Sequence, residues 1–376
     1  MSSIDDRADQ PNIYQRLGVR TIINGRGATT AVGGTLMPPP VIAAMTAAAS
    51  AFVVVDELNQ AVGRRIAAAT GAEAGYVTNG SAAAMVLAAS ACIAGDDPVR
   101  VRRMPETDGW ANEIIIHRAH RIAYDQMFRV AGARLVEIGG EGSVEAATLE
   151  RAITGKTAAV AYIDSPVVRA GALPFSVVVD LAHARDVPVI VDAASTLPPV
   201  DHLRRWIRDG ADLVIYSGGK GIRGPQDSGI LAGRADLIEA ARANGSPRAA
   251  IGRGMKVSKE ALAGLAVALD LFLGEDHEPE RLRHLAQAER IAAALATSRQ
   301  VEATINADPE DFPAPVLYLR PIGASWSPEV LQQRLIDGEP SIHLNVEAGC
   351  LVVNTHCLLA GDEDAIVQQL LRLLPA

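Results

Sequence analysis

Through the first two thirds of the chain, short apolar runs alternate with longer, alanine-rich amphipathic stretches. Residues 74–78, 113–117, 134–138, 158–163, 187–191, 213–216 and 229–232 read as strands. Helical patterns such as 144–153 and 200–209 fill most of the gaps, and another, 55–70, precedes the first strand. This alternation predicts an α/β domain with a mainly parallel sheet covered on both faces. Residues 82–94 are too short and alanine-rich to span a bilayer and predict a buried helix.

The pattern then changes. A helical run over 258–273 carries the chain into a second domain, where 301–305, 316–321, 341–346 and 350–355 predict a small, mainly antiparallel sheet. Ser327 and Pro328 open a helix that ends at Gly338, and a last helix covers about 363–374. The expected division is an N-terminal segment 1–40, a large domain 41–257, and an interdomain helix with a small α+β domain over 258–376.

Composition narrows the function. Of 376 residues, 49% are apolar and 21% charged, as in a globular chain of one large and one smaller domain. The net charge is −9 and no basic tract is present, which argues against nucleic-acid binding. Cys92, Cys350 and Cys357 form no metal-ligand spacing, so no metal is expected and reduced cytosolic thiols are the simple reading. No signal peptide or membrane span is visible, and a cytoplasmic location is expected.

Three strand ends carry candidate chemistry. Lys220 follows the run 213–216 in Ser217-Gly218-Gly219-Lys220-Gly221-Ile222-Arg223-Gly224-Pro225-Gln226, a loop of small residues that a cofactor could approach closely. The preceding strand ends in Asp192-Ala193-Ala194. A lysine and an acid at successive strand ends suit pyridoxal phosphate (PLP): the lysine forms a Schiff base with the aldehyde and the acid protonates the ring nitrogen. Ala194 is small enough to lie under the ring, and Ser217 can either bind the phosphate or satisfy turn backbone. At Thr78-Asn79-Gly80-Ser81-Ala82 a strand passes into a helix, whose free N–H groups at Gly80, Ser81 and Ala82 form an anion site. The competing reading is that Asn79 or Ser81 caps that helix. Asp192 can likewise be a turn acid, Lys220 an exposed loop residue, and His120 either a loop residue or a flat group stacked on a cofactor ring.

The lysine segment, continued by Asp227-Ser228-Gly229, resembles the SelA-like group of fold type I PLP enzymes, which includes L-seryl-tRNA selenium transferase and D-glucosaminate-6-phosphate ammonia-lyase. Ile22-Ile23-Asn24-Gly25, Thr70-Gly71-Ala72-Glu73 and Gly252-Arg253-Gly254-Met255-Lys256 extend the likeness over nearly the whole chain. The resemblance implies an aspartate-aminotransferase-like fold, with Lys220 binding PLP, Asp192 on the ring nitrogen and His120 stacking. It places Gly80, Ser81 and Ser217 around the phosphate, and implies a homodimer or larger homo-oligomer in which Arg223 and Gln226 serve a neighbouring site. The family-like start falls at Tyr14, leaving no room for a tRNA-binding domain, so a tRNA substrate is not expected. Ser341 stands where many relatives carry an arginine that could hold a substrate anion; Arg26, Arg169, Arg223, Arg253 and Arg320 are the alternatives.

The expected function is a PLP-dependent lyase of ammonia-lyase or dehydratase type. It would deprotonate Cα of a small amino acid or amino-sugar acid and expel a β-substituent. A racemase or epimerase, an aminotransferase or selenium-transferase-like enzyme, and a cofactor-less scaffold are the alternatives.

Overall fold

A computed structural model describes residues 12–140, 142, 144–165, 168, 171–296, 298–323 and 326–374. The chain forms two compact units, Gly33–His277 and a second that joins Met1–Val32 to Glu278–Ala376.

The large unit holds a seven-stranded sheet: β1 (Ala74–Thr78), β2 (Glu113–His117), β3 (Arg134–Ile138), β4 (Thr157–Ile163), β5 (Val189–Asp192), β6 (Leu213–Ser217) and β7 (Gly229–Gly233). Their order is β1-β7-β6-β5-β4-β2-β3. β2 to β6 pair in parallel, and β7 runs antiparallel to both its neighbours. All seven runs identified in the sequence are strands. Their continuous apolar character has a physical cause: β2, β5, β6 and β7 are buried along their whole length, as strands covered on both faces must be.

Alternate residues feed two cores. Ile115, Val160, Val191, Val214 and Ile230 face one set of helices, including Val55–Thr70 and Lys259–Gly274. Ile114, Ala161, Ile190, Ile215 and Leu231 face the other, which contains Gly80–Ala94. That helix is buried on nearly every side, as its composition predicts. Helix Val55–Thr70 lies close on β1: a Cβ at Gly63 would stand 2.2 Å from the Gly75 carbonyl oxygen.

The second unit contains an antiparallel sheet in the order Asn345–Glu347, Cys350–Asn354, Val316–Pro321, Val301–Asn306, with Leu317, Leu351, Val353 and Ile366 in its core. Here three expectations are corrected. The run 341–346 is not one strand: Ile342–His343 pairs in parallel with Ile23–Asn24, whereas Asn345–Glu347 pairs with Cys350–Asn354. The segment before Gly33 therefore belongs with the C-terminal unit, because its backbone hydrogen bonds are made there. Helix Lys259–Gly274 is no interdomain connector; its Leu262, Leu265, Leu269 and Phe272 complete a core of the large unit. The sequence reading also passed over helix Glu278–Leu295, although Ala288, Ile291 and Leu295 have helical spacing.

Gly63→Ala is expected to cost about 1–3 kcal/mol of stability, because backbone would have to move apart to admit the methyl group. Urea unfolding at neutral pH measures it, and a wild-type midpoint would contradict the close approach.

Candidate active site

The carboxyl ends of the central strands bring Asp192 and Lys220 into electrostatic contact. Asp192 closes β5, level with Ile163 of β4 and Ile215 of β6. It is buried, and its Oδ1 accepts the Ala194 N–H at 3.1 Å. Burial pushes the carboxyl up to about 6; the Ala194 N–H and the Lys220 charge oppose that shift, while Asp164 adds to it. Burial thus holds this carboxyl above the range of a turn acid in water.

Lys220 sits in a turn closed by three backbone bonds. Gly218 N–H donates to Ser228 O (2.9 Å), Gly224 N–H to Gly218 O (2.8 Å) and Arg223 N–H to Lys220 O (2.8 Å). Thr35 adds its hydroxyl, 2.9 Å from Lys220 O. The side chain is half-buried, and its Nζ has no hydrogen-bond partner among the described residues. Burial lowers its pKa, with Asp192 pulling the other way. The ordinary exposed-loop reading of this lysine does not hold.

The glycines around it serve a different purpose from the one expected. A Cβ at Gly218 would stand 2.1 Å from Ser228 Oγ, one at Gly219 2.5 Å from Gln226 Cα, and one at Gly221 2.1 Å from Leu197 O. These residues are small because the protein packs against them, not to leave room for a cofactor.

Room lies instead at Gly80, at the start of helix Gly80–Ala94. Its φ is +71°, and nothing stands within 4 Å of where a Cβ would be. Asn79 does not cap the helix: its amide donates to Asp227 O (3.4 Å) and Lys256 O (3.2 Å), and no side chain caps the first turn. The N–H groups of a helix's first turn have no partner within the helix. Gly229 ties this helix end to the lysine turn. It pairs with Thr78 on one side and Ser217 on the other, and a Cβ on it would lie 2.4 Å from Gly80 C. The helix end, Ser217, Asp192 and the lysine turn thus share one edge of the sheet. An open helix terminus, an unpartnered lysine and a near-neutral carboxyl fit a phosphorylated aldehyde with a basic ring nitrogen.

His120 departs from expectation. Its ring is completely buried, edge-on to Tyr162 (4.4 Å between centroids, 83°) and to His117 (5.2 Å, 62°). A stacking residue needs an open face, and this ring shows none. Its Nδ1 accepts the Ile163 N–H at 3.3 Å, which puts the ring proton on Nε2. Among the described residues Nε2 and both ring nitrogens of His117 have no partner, and burial lowers the two pKa values to about 3 and about 4. Tyr162, which the sequence reading passed over, is the centre of this cluster; only its place near the end of β4 could have signalled it.

The candidate arginines are dispersed. Arg26 Nε donates to Asn345 Oδ1 (3.0 Å) in the second unit, where Arg320 is exposed beside Glu302. Arg253 is exposed in a loop, and Arg169 lies outside the described residues. Arg223 alone stands in the lysine turn, half-buried at φ +58°. Ser341 presents nothing outward: it is buried and its hydroxyl donates to Ile336 O at 2.7 Å. Among the described residues no group of three metal-ligating side chains occurs, and no helix is long and apolar enough to cross a membrane.

Residues 56–311 match the L-seryl-tRNA selenium transferase family. A 5'-C-glycyluridine monooxygenase-decarboxylase from a Streptomyces species is 35% identical over 96% of this chain and 92% of its own length. The D-glucosaminate-6-phosphate ammonia lyase of Salmonella typhimurium is 37% identical over 79% of each chain. A solved structure of D-glucosaminate-6-phosphate ammonia-lyase superposes with a TM-score of 0.84 at 33% identity, covering 96% of this chain and 97% of that one. More distant likenesses, such as the Bacillus subtilis ureidoglycine-glyoxylate aminotransferase (TM-score 0.59, 16% identity), share the fold.

The Asp192 carboxyl makes stability depend on pH. Its folded pKa lies above the ordinary carboxylate value, so the folded chain holds this proton the more tightly. The resulting contribution is full below about pH 4 and is lost as pH rises through about 6. Asp192→Asn is therefore expected to stabilise the ligand-free protein at about pH 8 by on the order of 1–3 kcal/mol and to flatten the curve between those limits. Urea unfolding across that range tests this; parallel curves for the two proteins would refute it.

Proposed function

Starting from a chain that belongs to the L-seryl-tRNA selenium transferase family and has the fold type I architecture of PLP enzymes, we propose that it is a PLP-dependent lyase acting on a small amino acid or amino-sugar acid. The observation that carries this reading is the pairing of a half-buried, unpartnered Lys220 with the buried carboxyl of Asp192 at adjacent strand ends. Bound PLP supplies an electron sink for the charge left when a bond at Cα breaks.

The chain's own groups do the rest. Gly80, Ser81 and Ala82 offer N–H groups, and Ser217 a hydroxyl, to the phosphate. Asp192 would hold the ring nitrogen, and the small Ala194 would leave space for the ring. Lys220 Nζ would hold the cofactor's aldehyde and would take the substrate's Cα proton; burial lowers its pKa and favours the neutral amine that both tasks need. Loss of a β-hydroxyl and hydrolysis then release a 2-oxo acid and ammonia. His120 contributes a neutral ring whose Nε2 keeps its proton at physiological pH. Of the arginines, Arg223 is the candidate for a substrate anion, because it shares the lysine turn. The protein works in the cytoplasm as a homodimer or larger homo-oligomer, without a nucleic-acid partner.

One observation favours a second reading. The match to the monooxygenase-decarboxylase extends over 96% of this chain, against 79% for the ammonia lyase of Salmonella typhimurium. The same site would then break the bond between Cα and the carboxylate, releasing carbon dioxide, while dioxygen oxidises Cα to an amide carbonyl and its second oxygen atom leaves as water.

Purified protein should show a visible absorption band that Lys220→Ala abolishes, along with a loss of turnover of about a hundredfold or more. A band that survives in the variant would overturn the assignment. With β-hydroxy and amino-sugar acids as substrates, ammonia and a 2-oxo acid support the lyase. Dioxygen uptake with carbon dioxide release supports the second reading, and Cα deuterium exchange without ammonia would indicate a racemase.

A further inference from the structure

His117 closes β2, on the same edge of the sheet as Asp192, and it is completely buried. Among the described residues neither of its ring nitrogens has a hydrogen-bond partner. Burial keeps this ring and that of His120 neutral at physiological pH, so each carries one N–H donor and one acceptor nitrogen. His120 uses its acceptor, Nδ1, for the Ile163 N–H, which leaves its Nε2–H with nothing to donate to. An orphaned donor thus stands beside a ring with an orphaned acceptor. Buried polar atoms are ordinarily paired, so bare nitrogens in two adjacent rings call for an explanation.

We propose that His117 is a positioning residue for His120: in the working site it accepts the His120 Nε2–H, so that His120 is held at both ring nitrogens. The ring centroids lie 5.2 Å apart with the planes at 62°. That is close enough for an N–H···N bond of about 3 Å to form by rotation of the rings alone. The rest of the cluster offers no better acceptor. Tyr162 meets His120 edge-on and directs its hydroxyl to Leu173 O (3.5 Å), and Phe175 has no polar side-chain atom. The inference rests on the cofactor reading above in one respect: His120 must turn to bare a face to a cofactor, and a turned ring is one whose Nε2–H can reach His117. Held at two points, the ring keeps one tautomer and one plane. The proton stays on Nε2, and His117 acts through His120 without touching cofactor or substrate.

NMR of the holoprotein with isotope-labelled histidine should show a scalar coupling across a hydrogen bond between two imidazole nitrogens, and His117→Phe should abolish it. Titration of the cofactor-free protein with PLP, followed by the visible band, gives the functional readout. His117→Phe, which keeps a ring of similar size, should weaken PLP binding about tenfold, as the loss of one hydrogen bond implies. His117→Gln, which restores an acceptor, should recover affinity to within about threefold of wild type. Wild-type PLP affinity in His117→Phe, equal weakening in both variants, or a holoprotein without the coupling would each overturn the proposal. Should His117→Phe fail to fold, the coupling in the wild type still decides. A wild type that shows no visible band with PLP would sink the cofactor reading instead, while the coupling reports on the histidine pair alone.

Discussion

The candidate active site is assembled around a strand that begins and ends in glycine. β7 runs against its neighbours, and no side chain could replace either end. A Cβ on Gly229 would strike the start of helix Gly80–Ala94, and Gly233 has φ +158° with its Cβ position 1.9 Å from Asp212 O. Because β7 pairs antiparallel with both, β1 and β6 bring their carboxyl ends to one row, Thr78, Gly229 and Ser217. The anion site follows Thr78 and the lysine turn follows Ser217. Everything proposed for the chemistry depends on that lateral spacing, which backbone hydrogen bonds set and no catalytic side chain helps to determine.

Burial then gives two ordinary groups their unusual properties. The same loss of water raises the Asp192 pKa and lowers that of Lys220, and the attraction between them restrains both shifts. No ion pair joins them among the described residues, so the lysine keeps a free Nζ. Had they formed a close pair, each would have been fixed in its charged form and neither could exchange protons near neutrality. The surrounding strands are apolar along their length, which excludes water and keeps the two groups in this regime. The cost is a folded state that carries a destabilised acid, offset by the packing of the sheet.

What could be read from the chain follows the range of the forces involved. Strand runs and strand-end residues were legible because burial on both faces writes a continuous apolar signal, and because a strand end fixes where the next residue lies. The strand-end positions of Lys220 and Asp192 and the helix start at Gly80 are legible in this way. The glycines of the lysine turn were misread because a glycine looks the same whether protein or ligand approaches it; only Ser228, Gln226 and Leu197, some near and some distant in sequence, reveal which. The division into units was misplaced for a related reason. Ile23–Asn24 is a two-residue strand whose partner lies more than three hundred positions away, and nothing local announces such a pairing. His120 was expected to stack because its position after β2 suits that role, but the enclosing Tyr162 comes from another strand.

Arg223 shows how a local conflict can carry information. At φ +58° it occupies backbone that glycine adopts freely and an L side chain enters at a cost of roughly 1–2 kcal/mol. The other non-glycine residues with positive φ among those described, Asp186 and Ala348, are exposed. Arg223 is half-buried within a turn that already contains Gly218, Gly219, Gly221 and Gly224. Glycine would relieve the strain and keep the N–H that binds Lys220 O, so backbone geometry gives no reason for an arginine. What arginine adds over glycine here is its side chain, a planar donor that engages other groups of the protein. Arg26 donates to Asn345, and Arg253 and Arg320 are exposed residues with ordinary backbone angles. The strained arginine is therefore kept for its side chain and not for its backbone.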